Sequence, residues 1–140
     1  MSDTPIDHLT ADEAWTLVRS SQLGRIATLH GSAPEIHPVT FVVHGEQIFF
    51  RTGSSSRLRS DTEDNLVAFE VSTQEKSNIT STVIRGAVVV ITDIEKVAEL
   101  DGMPYLDFAP QQEYVWMMIS PNEVRGRRLH VIDNTPWRDS

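Results

Sequence analysis

Hydrophobic positions along the chain change period near residue 24. Ala14, Leu17 and Val18 recur at helical spacing with Trp15 on a flank, directly after Thr10-Ala11-Asp12-Glu13. Thr10 and Glu13 stand as a capping box, in which the hydroxyl accepts from the Glu13 N–H and the carboxylate reaches back to the Thr10 N–H. The spacing predicts one amphipathic helix of about three turns, stopped at Leu23-Gly24. From Arg25 onward the apolar residues fall in short β-branched and aromatic runs. Residues 25–29, 35–43 and 47–51 are separated by His30-Gly31-Ser32 and His44-Gly45-Glu46, which are hairpin signals. Residues 65–71 continue the pattern, with Val67, Phe69 and Val71 on one face and Ala68 and Glu70 on the other.

Residues 82–92 contain seven Val, Ile or Ala besides Arg85 and Gly86, which predicts a strand buried on both faces or a barrel strand bent at Gly86. A short helix is expected over 57–63 and another over 93–100 with Asp93 as cap; 102–112, with two prolines, reads as a loop or broken helix. Strands are expected at 114–119 and at 123–132, the latter interrupted by Gly126. The sum is a mainly β fold: six to seven short antiparallel strands with two or three flanking helices, closed or split as a barrel so that few long edges remain. The expected division is a flexible N-terminus over 1–8, one domain over 9–132 and a tail over 133–140.

Composition narrows the chemistry. The chain of 140 residues has no cysteine, which removes disulfides, thiolate zinc sites and Cys nucleophiles. A net charge of −8 argues against nucleic acid, whose binding rests on phosphate neutralisation. No apolar run approaches the ~18 residues of a membrane span, and the first residues lack the basic and apolar regions of a secretory signal. A cytoplasmic protein with neither membrane nor nucleic-acid partner is the expectation. The five histidines, His8, His30, His37, His44 and His130, make no i, i+4 pair and no H-E-x-x-H array, so no metal is expected. There is no G-x-S-x-G elbow. Asp61, Glu63 and Asp64 lie on a polar segment expected to face solvent.

The stretch Phe50-Arg51-Thr52-Gly53-Ser54-Ser55-Ser56-Arg57-Leu58 is the strongest chemical signal. It leads from an apolar strand to a helix start, and offers backbone N–H groups, hydroxyl donors and two guanidinium forks to a phosphate dianion. Nearby, Glu35-Ile36-His37-Pro38-Val39-Thr40-Phe41 carries a proline that cannot donate to a sheet ladder, so this strand must be at an edge or bulged. The exposed backbone groups of Val39 and Thr40 suit a flat heterocycle.

These segments occur in a familiar order. Leu23-Gly24-Arg25-Ile26-Ala27-Thr28, Pro34, Pro38-Val39, Ile48-Phe49-Phe50-Arg51-Thr52, Ser56-Arg57-Leu58 and Val67-Ala68-Phe69-Glu70-Val71 follow one another. Val83-Ile84-Arg85-Gly86-Ala87 and Val124-Arg125-Gly126-Arg127-Arg128 come later. Together they resemble the pyridoxamine 5′-phosphate oxidase-like flavin-binding split barrels, small actinobacterial-type members above all, over about residues 9–130. The resemblance implies a homodimer with FMN in a groove at its interface, acting as an oxidoreductase on a small molecule. It implies that Val39 and Thr40 line the isoalloxazine. Arg51, Thr52, Ser56 and Arg57 would hold the ribityl phosphate, with Phe50, Ser55 and Leu58 also among the cofactor-binding residues and Arg127 reaching in from the partner chain. Asn78-Ile79-Thr80-Ser81-Thr82 stands where many members carry Gly-Trp, and Ser55 where a glycine is frequent. The alternatives are an F420-dependent reductase, which would need further cations such as Arg125, Arg127 and Arg128, or a non-catalytic flavin- or ligand-binding protein.

Overall fold

The computed structural model describes residues 6–106 and 113–130, and there eight strands join in a single antiparallel sheet with three helices. In chain order these are β1 Ile6–His8, α1 Ala11–Arg19, β2 Leu23–His30, β3 Ala33–Thr40, β4 Val42–His44 and β5 Gln47–Gly53. They are followed by α2 Arg57–Thr62, β6 Leu66–Gln74, β7 Asn78–Val90, α3 Ile94–Asp101 and β8 Tyr114–His130. The strand order is β3-β2-β6-β7-β8-β5-β4, with β1 added beside β8. The sheet curls without closing, and β3 and β4 are left at its two edges. This is a split barrel.

Local chemistry accounts for most boundaries. The capping box forms as the sequence predicts: Thr10 Oγ1 accepts from Glu13 N at 3.2 Å, and Glu13 Oε1 accepts from Thr10 N at 2.9 Å. The Thr10 backbone N–H, and after it the Thr10 hydroxyl beside the carboxylate, hold the Glu13 carboxyl below its ordinary pKa. The two hairpin glycines, Gly31 and Gly45, adopt φ of +63° and +64°, the left-handed backbone those tight turns require. Asp93 caps α3 through Oδ1, which accepts from Glu95 N at 3.0 Å.

Two clusters of buried side chains sit on opposite faces of the β5–β8 pair. Phe50, Met117 and Ile119 point into the main core with Ile26, Phe69 and Ile84, and α1 covers it with Trp15, Leu17 and Val18. Phe49 and Trp116 point the other way, against Leu100 of α3. The consecutive apolar residues Ile48, Phe49 and Phe50 are therefore a strand buried on both faces, each fully inaccessible.

The structure departs from sequence expectation at five places. Leu23-Gly24 does not stop the helix, which ends at Arg19; it opens β2, and a Cβ at Gly24 would lie 2.7 Å from the Phe69 ring. The run 35–43 is two strands, turning at Phe41 to move from one sheet edge to the other. The two C-terminal strands are one 17-residue strand, continuous through Gly126. A bulge interrupts its register against β7: Arg85 pairs with Glu123 but Gly86 with Pro121, so Asn122 is extra. Ile6–His8, expected to be loose, pair with Arg127–Leu129 as β1. Finally, Asp61 is not on a solvated face: it is 8% exposed. The expected tail over 133–140 and the ends of the 102–112 and 123–132 predictions lie outside the described residues.

Candidate functional site

Pro38 stands on β3, and among the described residues β3 is an edge strand paired only with β2, as its missing N–H demands. Its far edge is held at two points. At one end Glu35 Oε1 accepts a hydrogen bond from Arg57 Nη2 at the start of α2. At the other, the Thr40 carbonyl accepts from the Tyr105 hydroxyl at 2.9 Å. The same hydroxyl accepts from Arg51 N at 3.4 Å, so Tyr105 ties the end of β3 to β5. Five residue steps of strand, roughly 17 Å, separate the two anchors.

Between β5 and α2 the chain turns tightly. Ser56 N donates to the Gly53 carbonyl at 3.0 Å, and Ser56 caps α2 with its hydroxyl accepting from Arg59 N at 3.0 Å. Thr52 Oγ1 and Ser56 Oγ share a hydrogen bond of 2.7 Å, which brings two of the predicted hydroxyls side by side. Arg59 Nη1 donates to the Ser54 carbonyl at 2.9 Å and braces the turn from behind. Ser55 is exposed at its tip. Because α2 has only six residues, hydroxyl and guanidinium groups rather than a helix dipole carry the chemistry of this turn.

The predicted residues divide by where their side chains go. Val39 and Phe50 are core residues, 7% and 0% exposed, and Leu58 packs against the same core. These three offer backbone alone. Thr52, Ser56 and Arg57 come together around the turn. Arg57 is half exposed; besides Glu35 it has Asp61 Oδ2 3.7 Å from Nε. Arg51 takes the opposite face of β5: its guanidinium lies 5.0, 4.5 and 5.6 Å from the ring centres of Tyr105, Tyr114 and Trp116. Cation–π attraction holds it there. Arg127 pairs in register with His8 and Ser81, thirteen residues beyond Tyr114 and roughly 40 Å along the bent strand. Within one protomer it does not join the turn.

Sequence reading did not pick out the aromatic box around Arg51. Trp116 Nε1 and the Tyr114 hydroxyl both donate to Asp101 Oδ1 at 2.8 Å. That bond, with burial and the Asp101 charge behind it, pushes the Tyr114 pKa above its ordinary 10. The available signal was alternation: Arg51 lies opposite Trp116, and Gly53 opposite Tyr114, only once β5 is paired with β8.

Residues 10–128 match the sequence profile of the family described as pyridoxamine 5′-phosphate oxidase. The chain belongs to that family. Its fold is also that of a solved FAD binding protein from Mycobacterium smegmatis, with TM-score 0.82 and 29% identity, over 90% of this chain and 100% of that one. A putative pyridoxamine 5′-phosphate oxidase from Corynebacterium glutamicum aligns with TM-score 0.80 and 25% identity, over 95% and 100% of the two chains. A FAD-binding protein from Mesorhizobium loti shares the fold at TM-score 0.70 and 18% identity, covering 89% of this chain and 99% of that one. No protein of curated function matches. As a pyridoxamine 5′-phosphate oxidase family member, the chain has the antiparallel split barrel and the strand–turn–helix segment read from its sequence. No helix among the described residues is long and apolar enough to cross a membrane.

Proposed function

We propose that this protein is an FMN-dependent oxidoreductase acting on a small molecule, with the flavin held between two copies of the chain. The observation that carries the reading is the turn after β5, where the Thr52 and Ser56 hydroxyls meet beside the half-exposed Arg57 at the foot of an edge strand. The donor set fits a phosphate dianion: two hydroxyls and a guanidinium, with no carboxylate inside the turn itself. Thr52, Ser56, Arg57 and the Ser55 backbone would hold the phosphate. The outer edge of β3 at Val39 and Thr40, where the Tyr105 hydroxyl holds the Thr40 carbonyl, would flank the ring system, with the backbone of Phe50 and Leu58 nearby. When bound, the flavin supplies the hydride chemistry, and the protein binds, orients and excludes water.

A second copy supplies the other wall. The outer face of β2, β3 and β6 exposes Leu29, Ile36 and Leu66 by 61%, 69% and 70%. A shallow apolar cavity of about 540 Å³ lies there between Ala27, Leu29, Pro34, Leu66 and Ala68. Apolar patches of this kind mark interfaces, and Arg127 would enter the site from the partner. The solved relatives named as FAD binding proteins support FAD as a second reading, in which the turn takes the first phosphate of a longer chain. F420 is the third, since Arg125 and Arg128 also lie on β8.

The test is to purify the protein, record its absorbance, and identify by mass whatever is released on denaturation. Yellow protein releasing FMN supports the reading. Failure to bind FMN, FAD or F420 at tens of micromolar removes it.

A further inference from the structure

Behind Arg57 lies a second polar cluster that the flavin reading does not use. Glu35 and His37, two residues apart on one face of β3, and Asp61 of α2 bring a ligand atom each within 4.8 Å of one another. Asp61 is more than nine-tenths buried. Its Oδ1 is held by His30 Nδ1 at 2.8 Å, while its Oδ2 is buried without a hydrogen-bond donor among the described residues. His37 Nε2 is likewise buried with no hydrogen-bond partner among the described residues, 3.5 Å from Glu35 Oε2. A third such atom, Thr28 Oγ1, belongs to the residue paired directly with Glu35 across the β2–β3 ladder. Buried polar atoms without partners are uncommon, and two of them, on His37 and Asp61, belong to one close group with Glu35 and call for an occupant.

We propose that Glu35, His37 and Asp61 bind a divalent transition-metal cation of the zinc, manganese, cobalt or iron(II) class. One imidazole and two carboxylates are the ligand types of those ions, whereas magnesium and calcium take oxygen alone. Bond lengths of about 2.0–2.2 Å place the ligand atoms of a tetrahedral site roughly 3.3–3.6 Å apart. Glu35, a long side chain still 26% exposed, closes the remaining distance by rotamer change. His30 fixes the Asp61 carboxylate from outside, as partners of metal-binding groups do.

Charge is consistent with an exchange of cations. Glu35 and Asp61 carry two negative charges and Arg57 returns one. Among the described residues the Arg57 guanidinium hydrogen-bonds Glu35 alone; it stands 3.7 Å from Asp61 Oδ2 and is 52% exposed, so it leaves for solvent readily. A dication neutralises the pair and releases the guanidinium toward the Thr52–Ser56 turn. If the phosphate reading above holds, metal and phosphate then strengthen one another reciprocally; the metal site itself does not depend on it.

The experiment titrates flavin-free protein with Co²⁺, following visible d–d absorption and stoichiometry. One Co²⁺ per chain with an absorption band is expected, at least tenfold weaker in His37→Gln and in Asp61→Asn, and equal or tighter in Arg57→Ala. Unfolding is monitored by circular dichroism; should Asp61→Asn fail to fold, the part-exposed His37→Gln decides. Absence of the band, or equal Co²⁺ affinity in His37→Gln and wild type, overturns the proposal. Flavin binding measured with chelator present tests the other reading separately.

Discussion

Replacing Arg57 with alanine separates a phosphate grip from a general fit to flavin, because FMN and riboflavin differ by the dianion alone. A hydrogen bond to a charged group contributes about 1.5–3 kcal/mol. Arg57 does not start free, however: it must first leave Glu35. Both side chains are partly exposed, 52% and 26%, so that pair is worth about 0.2–1 kcal/mol. The net loss in Arg57→Ala is then roughly 0.5–3 kcal/mol, or about 2- to 150-fold in FMN affinity, with riboflavin affinity unchanged. Glu35→Gln should act in the opposite direction and tighten FMN by up to about fivefold. The assay is flavin fluorescence quenching on titration with each ligand, with chelator present. An FMN-to-riboflavin affinity ratio that is the same in Arg57→Ala and wild type refutes the reasoning, since no other role of Arg57 discriminates the two ligands.

Three further outcomes follow from the geometry. Tyr105→Phe keeps its ring contacts with Trp116 and Arg51 but frees the Thr40 carbonyl; with a net hydrogen bond worth about 1 kcal/mol, flavin titration should show roughly fivefold tighter binding. Gly86→Ala places a Cβ 2.2 Å from the Ser120 carbonyl oxygen, backbone that must shift; a cost of about 1–3 kcal/mol lowers Tm by roughly 3–5 °C per kcal/mol. The Tyr114 phenol is held protonated above 10, first by its bond to Asp101. Its contribution to stability is complete below pH 10 and is lost as pH rises through the raised value. Ultraviolet titration of Asp101→Asn should show the tyrosine ionising earlier than in wild type.

What was legible in the sequence was local. Thr10 and Glu13 are three residues apart, Gly31 and Gly45 sit inside their own turns, and Pro38 declares an edge by lacking a proton. What was not legible depends on partners far along the chain. Gly24 imitates a helix stop, but its missing side chain makes room for Phe69. Asp61 looks solvated among Glu63 and Asp64 until β2 brings His30 against it. Arg51 and Arg57 look like one pair, six residues apart, but strand alternation and the start of α2 send them to different neighbours. The Glu35–His37–Asp61 group shows none of the spacings by which metal sites are sought, because its members come from β3 and α2.

Asn122 has a consequence for reading relatives of this chain. In β8, odd-numbered Met117 and Ile119 are buried before it, and even-numbered Gly126 after it, while β7 keeps Ile84, Gly86 and Val88 inward throughout. One residue thus reverses the parity of the strand, letting both halves serve the same interior. A homologue lacking it would run through this point with unbroken alternation and both halves still inward, so an alignment must place its one-residue gap here or match half of the strand to the wrong face.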